Sequence, residues 1–319
     1  MSEGIFFESH DDCRPYFFTI HMLEFKKYLE QRGYRGEGKA NPRRGVKDTL
    51  LIMQLLYGLH AVEEAIRSGN RRLESVVISR QRQDVRLHGI AEACQASGIP
   101  VRLESKEQLT RLARTDAHQG VVAVVAERGY SSLKELAQPR GHDLFLLALD
   151  GVEDPHNLGA LLRTADGAGV DGVVLPERRA AGVNATVVKT SAGAAEHVRI
   201  ARVTNLVRAL EELKRENVWC VGLDERGPVD YDRFDYRCNF VLVLGREGSG
   251  LHDLTRRTCD HLLRIPMAGQ VASLNVSVAG AIVMYEAARQ RRATMTSPTI
   301  KETASVAARA KRPLKGLGS

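Results

Sequence analysis

The chain has 319 residues, of which 43% are hydrophobic and 27% charged, and carries a formal net charge of +7. That length suffices for two domains with sizeable cores, and the composition is that of a globular protein. No run approaches the roughly 18–20 apolar residues that span a bilayer, which excludes an integral helical membrane protein.

Residues 1–52 open with MSEGIFFESHDDC, acidic where a signal peptide is basic, so a cytoplasmic location is expected. Two aromatic patches, Phe6–Phe7 and Tyr16–Phe18, precede the polar run 32–45, which reads as a poorly ordered extension. A compact pattern begins at Met53, the expected true start. Residues 53–128 read as a small α/β domain. It has helices at 59–68, about 84–97 and 106–114, and strands at 75–79, 99–105 and 120–127. Gly69 and Gly98 end the first two helices. A linker with a short helix occupies 129–142.

From 143 to 291, strands at 144–150, 171–176, 197–203, 218–224, 240–245 and 261–267 alternate with helices. The helices fall at about 157–168, 184–194, 204–216, 250–258 and 275–291. Such alternation implies an α/β fold with a mostly parallel sheet covered on both faces. The last helix is apolar on nearly every side, so burial all round is expected, in the core or against a partner subunit. Residues 292–319 form a basic tail, which composition alone leaves as a solvated, disordered end or a weak attractor of RNA. The five cysteines are scattered, with no CxxC pair and no zinc spacing, so neither disulfides nor a metal is expected. Cys94 and Cys220 sit in apolar surroundings, as small buried residues do.

Three segments carry the chemistry. In DPHNLGALLRTADGAG (154–169), Asn157 is placed as an N-cap, and Leu158, Leu161, Leu162 and Ala165 form a buried stripe. Gly159 and Arg163 lie four apart on the other face, leaving room for a ligand beside the Arg. A plain surface Arg paired with Asp166 or Glu153 fits the same spacing. In VLGREGSGL (243–251), the glycine spacing is neither the dinucleotide fingerprint nor the phosphate loop, which disfavours a dehydrogenase and a nucleotide triphosphatase. A glycine turn at the carboxyl end of a parallel strand is where open α/β sheets bind ligands, and Glu247 sits in that turn. In IPMAGQVASLNVSVAGAI (265–282), Ser273 or Asn275 caps the last helix. Taken together, three glycine-bearing turns after strands of one sheet, each with polar side chains, point to a single ligand site.

The order and content of these segments resemble the SpoU/TrmH branch of the SPOUT methyltransferases. The match covers Asn157, Gly159 and Arg163, the run GREGSG, and Pro266 to Ser277. The opening LLYGLHAVEEAI and the run VNATVVKTSAGAAEHV (183–198) are similar to the subgroup that methylates guanosine in 23S ribosomal RNA. The resemblance extends over 53–290 and implies a SPOUT domain with a C-terminal trefoil knot. It also implies a small ribosomal-protein-L30e-like RNA-binding domain, a homodimer, and methyl transfer from S-adenosylmethionine to a ribose 2′-hydroxyl. By that resemblance Gly245, Ile265 and Leu274 line the cofactor, and Arg163 acts on the hydroxyl with Asn157, Glu247, Ser273 and Asn275 positioning it and the ribose. The resemblance makes Arg163 the candidate to relieve the hydroxyl of its proton; because a guanidinium stays charged, stabilising the developing alkoxide or clamping an adjacent phosphate is the alternative. Arg67, Arg71, Arg72, Arg80 and Arg82 are candidate phosphate contacts, or simply a solvated face. Two other readings stay open: a tRNA or antibiotic-resistance methyltransferase of the same branch, and a catalytically silent RNA-binding assembly factor.

Overall fold

Two sheets organise the computed structural model, which describes residues 53–82, 84–178, 180–271 and 273–296. The readings made for 1–52 and for the tail beyond 296 lie outside the described residues.

The first sheet has four strands: β1 (Met53–Tyr57), β2 (Leu73–Ser79), β3 (Val101–Glu104) and β4 (Val121–Ala126), in the order β1-β4-β2-β3. Its helices are α1 (Leu59–Ser68), α2 (Val85–Ala96) and α3 (Lys106–Ala113). Each helix has a local cause. Gly69 takes the left-handed conformation that closes α1, and Asp84 accepts from the Leu87 N–H to start α2. Ser105 and Gln108 form a reciprocal capping box on α3. The unbroken apolar run of β4 is buried at every position, as a central strand requires. β1 had no counterpart among the expected strands, because MQLLY runs without a break into the apolar pattern of α1.

A short helix, α4 (Leu133–Leu136), leads into the second sheet. Its strands are β5 (Phe145–Asp150), β6 (Gly172–Pro176), β7 (Ile200–Val203), β8 (Trp219–Leu223), β9 (Val229–Asp230), β10 (Phe240–Gly245) and β11 (His261–Arg264). The order is β7-β6-β5-β10-β8-β11-β9, and every pairing is parallel. Helices α5 (Pro155–Ala168), α6 (Ala185–Thr190), α7 (Leu206–Arg215), α8 (Asp253–Thr258) and α9 (Val276–Thr296) complete the unit. Alternate strand residues face two layers. Leu147, Leu149, Leu242 and Leu244 pack with Leu161 of α5 and Val283 and Met284 of α9. Leu146, Ala148, Val241 and Val243 pack with Leu206, Leu210 and Leu213 of α7. The strand order reverses between β5 and β10, so their carboxyl ends frame the crevice where such sheets bind ligands.

Several boundaries differ from expectation. The helix expected at 184–194 stops at Thr190, because Ala192 and Gly193 take positive φ, and a single turn of 3-10 helix (Ala194–Glu196) follows. The strand expected at 261–267 ends at Arg264, and α9 runs past 291. Within the chain, Val283, Met284 and Ala287 of that helix are covered, whereas Val278 and Tyr285 are 48% and 49% exposed. No helix among the described residues is long and apolar enough to cross a membrane.

Candidate active site

Asp150 at the end of β5 stands in register with Gly245 at the end of β10, so the first two glycine-bearing turns spring from adjacent strand ends. Asn157 is not the cap of α5. The helix begins two residues earlier, with Asp154 accepting from the His156 N–H at 3.0 Å and Pro155 in the first turn. Asn157 is thereby freed to reach across the crevice, and it is 7% exposed. Its Nδ2 donates to Glu247 Oε1 at 2.6 Å. Asn275 Nδ2 donates to the same oxygen at 2.7 Å and to Asn157 Oδ1 at 3.0 Å. Asn275 Oδ1 meanwhile accepts from the Ser277 N–H at 2.8 Å and its hydroxyl at 2.5 Å, so Asn275 rather than Ser273 caps α9. One carboxylate oxygen therefore ties the three sequence segments into a triangle.

The turn after β10 closes on itself. The Arg246 and Gly250 N–H groups donate to each other's carbonyls at 3.0 Å. A Cβ on Gly245 would stand 2.2 Å from the Gly250 carbonyl carbon, a collision with backbone that no rotamer relieves. Beside this turn lies a cavity of about 420 Å³. Leu244, Gly245, Ile265 and Leu274 supply apolar wall, with Glu247 and Ser273 at the same cavity. Asp224 and Glu225, which follow β8, also line it. Neither carboxylate was singled out from the sequence, although LDER at the carboxyl end of a parallel strand next to GREGSG obeys the rule that marked the glycine turn. A second connection was also missed: Asp150 accepts from the His252 N–H at 2.9 Å, and its other oxygen lies 3.0 Å from His252 Nδ1.

Arg163 does not line the cavity. It is exposed on α5, six residues and so about 9 Å along the axis from Asn157, with no hydrogen bond or ion pair to the described residues. The surface pair with Asp166 or Glu153 does not form; Glu153 lies 3.8 Å from Arg246 instead. Gly159 leaves no open space beside it either. A Cβ there would stand 2.6 Å from Thr190 Cβ, so the missing side chain admits α6 against α5 rather than a ligand.

The five arginines of the first sheet unit do not form one patch. Arg71 is 5% exposed, with its Nε 2.9 Å from Glu196 Oε2, and so is unavailable to phosphate. It was misread because its partner lies 125 positions away. Arg67, Arg72 and Arg82 remain largely exposed but pair with Glu64, Glu74 and Asp84 at 2.7, 2.8 and 2.6 Å. Arg80 donates to the Leu103 carbonyl at 3.2 Å. Arg72 and Arg80 flank the seven residues of β2, which sets them about 25 Å apart.

Burial pushes the Cys94 thiol up to about 11 and that of Cys220 up to about 12. Among the described residues no group of His, Cys, Asp or Glu is placed to hold a metal.

The sequence model described as the SpoU rRNA Methylase family matches residues 144–285. The one described as RNA 2′-O ribose methyltransferase substrate binding matches 55–131. The chain is 45% identical to the 23S rRNA (guanosine-2′-O-)-methyltransferase RlmB of Bordetella pertussis, over 75% of this chain and 98% of that protein. It is 42% identical to RlmB of Escherichia coli, over 75% of this chain and all of that one. Among solved structures, the SpoU methyltransferase AviRb of Streptomyces viridochromogenes in complex with AdoMet superposes with a TM-score of 0.65 at 26% identity, covering 76% of this chain and 91% of that one. An AdoMet-bound rRNA methyltransferase of Sinorhizobium meliloti gives 0.63 at 28% identity, covering 86% and 94%.

Proposed function

The chain belongs to the SpoU rRNA methylase family, and from that membership we propose that it methylates the ribose 2′-hydroxyl of a guanosine in 23S ribosomal RNA, with S-adenosylmethionine as the methyl donor. The observation that carries this reading is the triangle of Asn157, Glu247 and Asn275 beside the cavity.

The cavity suits that cofactor. Its volume falls in the range of small-molecule sites. Leu244, Ile265 and Leu274 offer an apolar flank for a purine, and Asp224 and Glu225 offer acceptors for hydroxyl or ammonium groups. The bound cofactor supplies a methyl group on a sulfonium, whose departure leaves a neutral thioether, so the site needs no general acid. What remains for the protein is to hold the 2′-oxygen about 3 Å from the methyl carbon and to deal with its proton. The triangle fixes the end of β10, the start of α5 and the start of α9 as one rigid edge for the ribose. Arg163, without a partner among the described residues, acts on the 2′-oxygen or the adjacent phosphate of the incoming RNA. As a guanidinium that stays charged, it contributes as the cationic partner of the developing alkoxide or phosphate, with the hydroxyl proton passing to water, and only once substrate is bound.

Four finer features belong to the same proposal. The backbone around Gly245 and the approach of Gly227 to Leu263, where a Cβ would stand 2.5 Å from a carbonyl carbon, support a trefoil knot. The uncovered apolar stripe of α9 at Val278 and Tyr285 supports a homodimer. The first sheet unit is the RNA-selecting domain, of the ribosomal-protein-L30e-like kind, with Arg67, Arg72, Arg80 and Arg82 as its phosphate contacts. The protein works in the cytoplasm, where its RNA is.

Mapping 2′-O-methyl groups in 23S rRNA from cells with and without the gene tests the reading. Loss of a single guanosine methylation is expected; an unchanged map overturns it.

A further inference from the structure

We infer that residues 184–198 form a docking shelf that fixes the first sheet unit relative to Arg163, and that Glu196 is the positioning residue of that shelf. The inference rests on the reading of this unit as the RNA-selecting domain.

The shelf is gripped from one side at several points. Glu196 is 1% exposed and holds Arg71, which follows α1. Its carbonyl accepts from Asn70 Nδ2 at 2.9 Å. His197 Nε2 meets Glu64 of α1 at 2.7 Å, and a Cβ on Gly193 would stand 2.4 Å from Glu64 Cγ. Lys189 Nζ donates to the Ala117 carbonyl at 2.7 Å, and the Tyr57 hydroxyl lies 3.3 Å from Thr186 Oγ1. Arg128, between the two sheets, donates to the Val198 carbonyl. From the other side the shelf is braced on α5, where Thr190 and the Ser191 backbone fill the space at Gly159, one helical turn before Arg163.

The lock at its centre is electrostatic. Neither carboxylate oxygen of Glu196 has a well-directed hydrogen bond, and Arg71 Nη2 and Arg128 Nη1 are likewise buried without one. Burial raises the Glu196 carboxyl, and the nearby charges of Arg71 and Arg128 work against that rise. A buried carboxylate loses its compensation when its arginines move away, so the pairing adds to the close packing at Gly193 in resisting a shift. The unit is thus held in one register on the helix that carries Arg163.

Trypsin reports docking without reference to activity. It must draw the Arg128 guanidinium off the Val198 carbonyl before it can cut there. Two variants are compared with the wild type: Glu196→Gln, and the more exposed pair His197→Ala with Lys189→Met, which loosens the shelf while leaving the Arg67–Glu64 pair intact. In the paired variant, and in Glu196→Gln where it folds, cleavage after Arg128 is expected to rise at least tenfold, with the Kd for S-adenosylmethionine within twofold. The KM for a 23S rRNA transcript rises at least fivefold, and kcat at saturating RNA falls less than twofold. Unchanged cleavage in the paired variant overturns the shelf. Faster cleavage with an unchanged KM for RNA overturns the positioning role and leaves Glu196 a structural brace. A wild type that methylates no RNA yet shows the cleavage pattern refutes the functional reading alone.

Discussion

Replacing Arg163 with Ala separates a residue that serves the reaction from one that serves the fold. Arg163 is exposed and has no partner among the described residues, so its removal breaks no hydrogen bond or ion pair among them. Exposed substitutions of this kind change stability by at most about 0.5 kcal/mol, which for a domain of this size shifts Tm by roughly 1–2 °C. The effect on turnover is much larger. Loss of one preorganised partner of a developing oxyanion costs about 2.7–4 kcal/mol, a factor of roughly 10²–10³, and loss of a positioned proton acceptor falls in a similar range. The assay is single-turnover transfer of labelled methyl from S-adenosylmethionine to a 23S rRNA transcript, with cofactor affinity measured by calorimetry and Tm by scanning calorimetry. The expected pattern is a fall of at least a hundredfold in rate, a Kd within twofold, and a Tm within 2 °C. Methylation near the wild-type rate refutes the assignment. A drop of several degrees in Tm refutes the premise that Arg163 lacks structural work. Arg163→Lys keeps the charge but not the planar fork, so a partial recovery points to the electrostatic role.

Glu247→Gln keeps the shape of the triangle but turns two charge-assisted hydrogen bonds into neutral ones and sets amide against amide. Discounted for solvent exposure, the expected loss is about 1 kcal/mol of stability, read from urea midpoints, with at least a tenfold fall in methylation; full activity sinks the view that the triangle is the rigid edge of the site. Gly159→Ala gains up to about 1 kcal/mol of helix propensity but drives a Cβ to 2.6 Å from Thr190, so overpacking of about 1–3 kcal/mol wins and urea denaturation reads a net loss. A more stable Gly159→Ala protein means that α6 is not pressed against α5. Cys94, Cys220 and Cys259 are expected to be silent toward Ellman's reagent at pH 8 until the protein is denatured. Burial pushes their thiols up to about 11, 12 and 12, so the reactive thiolate appears only as pH climbs toward those values. Free-thiol rates at pH 8 in the native protein contradict that burial.

What was legible in the sequence, and what was not, divides by the range of the interaction. The stripe Leu158, Leu161, Leu162 and Ala165 announced α5 because helix periodicity is a local property, and all four are fully buried. The continuous apolar runs of β4, β5 and β10 announced buried strands for the same reason. The errors arose where one residue type serves two purposes. Asn157 looks like a cap because Asn is a good cap; Asp154 followed by Pro155 does that work, and the Asn amide goes instead to a carboxylate 90 positions away. Gly159 looked like room for a ligand, since a missing side chain in one helix says nothing about which element moves in to fill it. Arg71 looked like a surface cation, since nothing within its neighbourhood in the chain shows the Glu196 that draws it inside.

The same distinction explains why three separate turns nonetheless pointed to one place. A parallel sheet brings every strand's carboxyl end to a common edge, so polar residues just after β5, β8, β10 and β11 meet whatever their separation in sequence. Periodicity identifies the strands, and parallel topology then supplies the long-range contacts that no local pattern contains. Arg163 falls outside this logic. It lies on the third turn of a helix rather than in a loop at the strand ends, and its lack of a partner among the described residues becomes informative only beside a complete triangle and a cavity. An isolated exposed arginine is ordinary. One without a partner among the described residues, on the helix that supplies Asn157 and near charges at Glu153, Asp150 and Glu247 that are all paired, is the observation on which the proposed role of Arg163 rests.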